Sequence, residues 1–109
     1  MKVILDECLP RGLKPLLIGH SVRTVRNERW NGIKNGRLLR LIETKFDAFI
    51  TVDRGLGYQQ KITSVKIGIV VLEALDNSLP TLEPLVPELL SVLNRIRPGQ
   101  VIRVPETGI

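Results

Sequence analysis

One cysteine, Cys8, and one histidine, His20, are all that the 109-residue chain has of soft metal ligands. A lone cysteine forms no internal disulfide, and without a Cys/His set there is no structural zinc site. Also missing is any run of roughly 18 apolar residues, the minimum for a membrane span. The opening MKVILDECLP carries an Asp-Glu pair where a signal peptide would have its apolar stretch. A cytoplasmic protein without membrane association is expected. There is no repeat, low-complexity tract or polar linker, and the 43% hydrophobic content supplies one core rather than two. Residues 1–109 are therefore expected to form a single domain.

Acidic excess is lacking as well. The formal net charge is +5, and the segment from Arg23 to Lys45 accounts for all of it, with seven basic residues (Arg23, Arg26, Arg29, Lys34, Arg37, Arg40, Lys45) against Glu28 and Glu43. A positive field confined to one segment suits a polyanionic partner such as nucleic acid or an acidic protein segment. The alternative is the solvated face of ordinary helices and loops.

Short apolar runs, many of them β-branched, occur at Val3 to Leu5, Val22 to Val25, Ala48 to Val52, Ile67 to Leu72 and Val101 to Val104. Unbroken runs of this kind fit strands covered on both faces, as in a parallel sheet. Arg103 interrupts the last run and assigns it to an edge. Leu38, Leu39, Leu41 and Ile42 follow Asn35 at helical spacing, so Asn35 is a candidate N-cap for a helix over about 36–45. A second stripe, Leu85, Val86, Leu89, Leu90, Leu93 and Ile96, predicts a helix that opens at Pro84, keeps Pro87 in its first turn and ends at Pro98-Gly99. Pro15 predicts a kinked or broken helix between Pro10 and Gly19. Strands alternating with helices imply an α/β fold, a three-layer α/β/α sandwich around a small, mostly parallel sheet.

Such sheets bind ligands beyond the carboxyl ends of their strands, near a switch in strand order. The first strand runs directly into Asp6-Glu7, and the third ends in Ile50-Thr51-Val52-Asp53. If both strands are central and parallel, these carboxylates share one edge. Hard oxygen ligands open to solvent suit Mg²⁺ or Mn²⁺, which polarise a phosphodiester and activate water for in-line attack. The plainer reading is that Asp6 and Asp53 cap the turns that follow them. Glu7 diverges in direction from its neighbour, which makes it a supporting group or an ion-pair partner of a nearby arginine.

Three stretches, VILDECLPRGL, TVRNERWNGIKNGRLLRL and FDAFITVDRGLGYQQ, together resemble the PIN-like domains of the DUF5615 family, related to the PIN ribonucleases and to toxins of the VapC kind. The resemblance implies a PIN-like fold, Mg²⁺- or Mn²⁺-dependent cleavage of RNA, and pairing with a small DNA-binding, helix-turn-helix antitoxin, as a hetero-oligomer or alongside a homodimer. By position it implies Asp6 and Asp53 as the principal metal ligands and Glu7 as the third acid. Many relatives have an Asp or Glu at the start of the helix that here reads Lys34-Asn35-Gly36-Arg37. Asn35 offers a carbonyl oxygen to a cation but no charge, so an RNA- or partner-binding module with weakened catalysis is the alternative.

Among the remaining polar residues, Arg54 is a candidate for neutralising a scissile phosphate, or else a surface partner of Asp53. Tyr58 and Gln60 carry groups suited to phosphate or base edges, and Arg26, Lys34 and Arg37 complete the substrate-binding candidates. Trp30 lies among cations, where a base-stacking platform is the alternative; as the only Trp of a small domain it is read as a packing anchor. His20 has no catalytic partner, and Cys8 is read as a small buried hydrophobe. Phosphorelay receiver domains share the acid pair after strand one and the acid after strand three. They also need a hydroxyl residue after strand four and a lysine after strand five, where this chain has Leu72-Glu73-Ala74 and Val104-Pro105-Glu106.

Overall fold

The computed structural model describes residues 1–33, 35–52 and 65–106. Its centre is a five-stranded, all-parallel sheet made of β1 (Lys2–Leu5), β2 (Ser21–Thr24), β3 (Ala48–Thr51), β4 (Gly68–Leu72) and β5 (Val101–Val104). The strands lie in the order β2-β1-β3-β4-β5. The chain moves outward from β1 to β2, then returns past β1 to begin β3. The direction of winding therefore reverses between β1 and β3, which is where doubly wound sheets open a crevice at their carboxyl edge.

Alternation along each strand divides the core. Val3, Leu5, Ala48, Ile50, Val70 and Leu72 face one side; Ile4, Phe49, Ile69 and Val71 face the other. Residues on one pleat face recur every second position, so both faces of the unbroken apolar runs must be covered. The first face is covered by a 3-10 helix (Arg11–Leu16), α2 (Leu79–Leu82) and α3 (Val86–Leu93). The second receives α1 (Asn35–Glu43), through Leu38, Leu39 and Ile42. The result is the expected three-layer sandwich. Each of these fully buried Leu and Ile side chains contributes roughly 1.5–3 kcal/mol of transfer free energy.

Proline shapes both crossovers on the first face. Pro15 falls inside the 3-10 helix, where a tighter, shorter helix forms in place of an α-helix that the ring would break. The expected continuous helix from Pro84 is corrected: α2 and a 3-10 turn (Glu83–Leu85) precede α3, with Pro84 and Pro87 each near the start of its segment. A residue without an N–H is tolerated where the first turn has no intrahelical acceptor to meet. Asn35 is the first helical residue of α1 rather than the residue before it. β5 is an edge strand, and Arg103 within it pairs with Glu73 at the end of β4, at 2.8 Å.

Gly68 opens β4 directly over Ile96; a Cβ there would lie 2.7 Å from Ile96 Cγ1. The missing side chain lets the end of the α3 segment pack onto the sheet. Among the described residues no helix is long and apolar enough to cross a membrane, and every buried side-chain polar atom has a hydrogen-bond partner.

Candidate functional site

Asp6 is the first residue beyond β1, and its position is over-determined. Its N–H donates to the carbonyl of Ile50 in β3 at 2.9 Å, which extends the β1–β3 ladder by one residue. Its Oδ2 accepts the hydroxyl of Thr51 at 2.6 Å, and its Oδ1 accepts the N–H of Glu7 at 2.8 Å. Thr51 is fully buried at the end of β3. The carboxylate therefore stands at the switch between β1 and β3, half-exposed and fixed in orientation from both strands. Each oxygen accepts one bond and retains further lone-pair capacity, so the group suits a hard divalent cation.

Glu7 turns away from Asp6, as consecutive residues must. Its Oε1 accepts the N–H of Gly32 at 3.3 Å. Gly32 has φ +84°, a left-handed conformation that glycine adopts without steric cost, and through it the loop between β2 and α1 is fastened to the acidic pair. Among the described residues the partner of Glu7 is thus a backbone amide, and no arginine pairs with it.

Asp6 and Glu7 floor a groove of about 350 Å³ whose other lining residues are Leu9, Arg11, Thr24, Arg26 and Asn27. One wall is the entry to the 3-10 helix. The other is the turn after β2, where Thr24 N–H donates to Asn27 Oδ1 and Asn27 N–H donates to Thr24 Oγ1, each at 3.0 Å. Such reciprocal bonds hold a turn rigid. Lys14 Nζ reaches Asn27 Oδ1 at 3.4 Å and links the two walls. Arg11 and Arg26 are exposed on them.

Cys8 is partly buried beside this floor and packs against the first core. Burial, and then the neighbouring Asp6 carboxylate, push its thiol up from the ordinary value. That behaviour agrees with the reading of Cys8 as a small apolar residue.

Asp53, Arg54, Tyr58, Gln60 and Lys34 lie outside the described residues. Asn35 opens α1, and Arg37 is exposed on the same helix without lining the groove. Among the described residues no group of three His, Cys, Asp or Glu side chains is placed to hold a metal ion. Neither Glu28 nor Glu43 supplies the acid missing at Asn35. Glu28 pairs with Arg23 at 2.5 Å and Lys45 at 3.6 Å, and Glu43 accepts the N–H of Lys66 at 3.0 Å. Glu28, whose N–H donates to the Thr24 carbonyl at the end of β2, lines a groove with Arg23 and Lys45, while Glu43 lines a separate groove with Lys2 and Ser21 at the amino-terminal edge.

His20 is also at that edge, with Nδ1 3.4 Å from the terminal amine. Partial burial, and then that amine, lower its affinity for a proton. Trp30 packs against the second core, edge-to-face with Phe46 at 6.3 Å and 82°, and Lys45 Nζ lies 5.7 Å from its ring centre. It is a packing residue with a cation on one face.

Sequence reasoning missed Arg11 and Thr51. Arg11 is five residues beyond Asp6 in the same DECLPR run, close enough to return to the strand end across one turn. Thr51 is the one polar residue in the apolar run of β3, which is itself a signal that its hydroxyl has a partner.

The β2-β1-β3-β4-β5 order is that of the flavodoxin-like doubly wound sheets, receiver domains included. β4 and β5 end in Leu72 and Val104, so Glu73 and Pro105 follow them where a receiver domain has its hydroxyl residue and lysine. No family model, curated protein or solved structure matches the chain.

Proposed function

We propose that this protein is a metal-dependent endoribonuclease, the toxin of a toxin–antitoxin pair whose antitoxin is a small helix-turn-helix protein. The observation that carries this reading is the Asp6 carboxylate, held by Thr51 at the β1/β3 switch and flanked by exposed arginines. An acidic centre beside basic walls is the arrangement that phosphodiester hydrolysis needs, since the acids hold a cation and the arginines hold the backbone they would otherwise repel.

Asp6 and Asp53 are the ligands assigned to Mg²⁺ or Mn²⁺, with Glu7 in support. When bound, the cation polarises the phosphodiester and activates water. Thr51 keeps the Asp6 carboxylate in one orientation, and the Gly32 amide steadies Glu7 beside it on the floor of the groove. The pairing with an antitoxin rests on the resemblance of VILDECLPRGL, TVRNERWNGIKNGRLLRL and FDAFITVDRGLGYQQ to the PIN-like domains.

RNA incubated with the protein and Mn²⁺ or Mg²⁺ is expected to be cut, to be spared when a chelator is added, and to be spared by Asp6→Ala and by Asp53→Ala. Cleavage that survives both substitutions overturns the reading. A binding module of the same fold is the second reading, favoured by the uncharged Asn35 at the start of α1. It expects salt-sensitive RNA binding without turnover at any Mg²⁺ or Mn²⁺ concentration.

A further inference from the structure

Along the carboxyl edge of the sheet the charges are unevenly placed and unevenly used. Past β3, Glu73 is paired with Arg103, and Asp76 is held by Ser78. On the β2 side, Arg23 is occupied by Glu28 and Lys14 by Asn27. Arg11 and Arg26, in contrast, have no ion pair or side-chain hydrogen bond among the described residues. They line the same groove as Asp6 and Glu7 without pairing to them. Two unsatisfied guanidiniums on a groove of about 350 Å³ suit a phosphate chain, because guanidinium binds phosphate in a bidentate fork.

We infer that single-stranded RNA runs through the groove between the 3-10 helix and the turn after β2, with Arg11 and Arg26 gripping phosphates on the β2 side of Asp6. This rests on the ribonuclease reading and adds a direction to it: the strand approaches across β2, where Arg11 and Arg26 are free to bind it, and not across β4 and β5, where Arg103 is taken up by Glu73 and Asp76 has no cationic partner among the described residues. Asn27 supplies a contact of a second kind. Its Oδ1 is taken by Thr24 N–H and Lys14, which leaves the amide hydrogens of Nδ2 for an acceptor such as a ribose 2′-hydroxyl oxygen.

The test measures anisotropy of a short fluorescent single-stranded RNA in the presence of chelator, so that binding is read apart from turnover. Arg11→Ala and Arg26→Ala are each expected to weaken binding about 5- to 10-fold and to flatten the log–log salt slope by about 0.7. Arg97→Ala, an exposed arginine at the opposite edge of the sheet, is expected to change neither. Thermal melts identify any variant that has lost its fold; for such a variant Arg→Gln replaces Arg→Ala. If the Arg11/Arg26 double variant binds with wild-type affinity and slope, the inference is overturned even where Asp6-dependent cleavage persists. It is equally overturned if the wild-type protein binds no RNA, or if DNA of the same sequence competes equally well. Loss of binding in the double variant of a protein that cleaves nothing supports the groove and sinks the nuclease reading instead.

Discussion

The hydroxyl of Thr51, at the end of β3, donates to Asp6 Oδ2, just beyond β1, at 2.6 Å. This bond joins the two strands between which the sheet changes its direction of winding, and it fixes a carboxylate where a ligand would sit. On the proposed nuclease reading, Thr51→Val is expected to lower the cleavage rate about 10- to 100-fold, the usual cost of releasing a metal-ligating group from its hydrogen-bond partner. Thr51→Ser is expected to restore it. Stability should change by less than about 2 kcal/mol, because the lost bond is offset by the burial of a methyl group. Rates for the three proteins, with melts alongside, check this; equal rates in Val and Ser variants would show that the hydroxyl does not position Asp6.

Trp30 gives a separate test of packing against recognition. Its ring meets Phe46 edge-to-face and covers the second core, so Trp30→Ala is expected to cost about 2–4 kcal/mol in chemical denaturation. Because Trp30 does not line the groove, the folded variant should bind RNA within about twofold of wild type. Base stacking would instead appear as a loss of about 1–3 kcal/mol of binding with little change in stability.

Acid dependence has a local source at Asp76. Its Oδ1 accepts the hydroxyl of Ser78 at 2.6 Å and the N–H of Ser78 at 2.9 Å. The Ser78 hydroxyl bond, then the Ser78 amide, then Thr81 hold the carboxyl below its ordinary value of about 3.8. A carboxyl depressed in the folded state contributes stability that is fully present above the unfolded value and is lost as the pH falls through the folded one. Carboxyl titration by NMR should therefore place the Asp76 midpoint below 3.8. The melting temperature of Asp76→Asn should fall less steeply than that of wild type across the same acid window. A normal Asp76 midpoint would remove this contribution.

The architecture is unusually legible because parallel strands covered on both faces leave unbroken apolar runs. Val3 to Leu5, Ala48 to Val52 and Ile67 to Leu72 match β1, β3 and β4 within one or two residues. Edge character is equally local: Arg103 in the last run marks β5 as the strand with one open side. The helix pattern over Leu85 to Ile96 is less faithful. Its spacing reports a buried stripe, but Pro84 and Pro87 divide the backbone into α2, a 3-10 turn and α3.

The site divides along the same line. The sequence by itself determined that Asp6 and Glu7 follow a strand end in a parallel sheet, that the positive charge is concentrated between Arg23 and Lys45, and that no thiol or imidazole set competes for a metal. Only the tertiary structure decided that Asp6 is held by Thr51, that Glu7 faces Gly32, and that Arg11 shares a groove with Arg26 while Glu28 and Glu43 line other grooves. Strand identity follows from side-chain burial within a few consecutive residues. Which ends meet depends on strand order, and that order is set by contacts between residues such as Asp6 and Thr51, which are far apart in the chain.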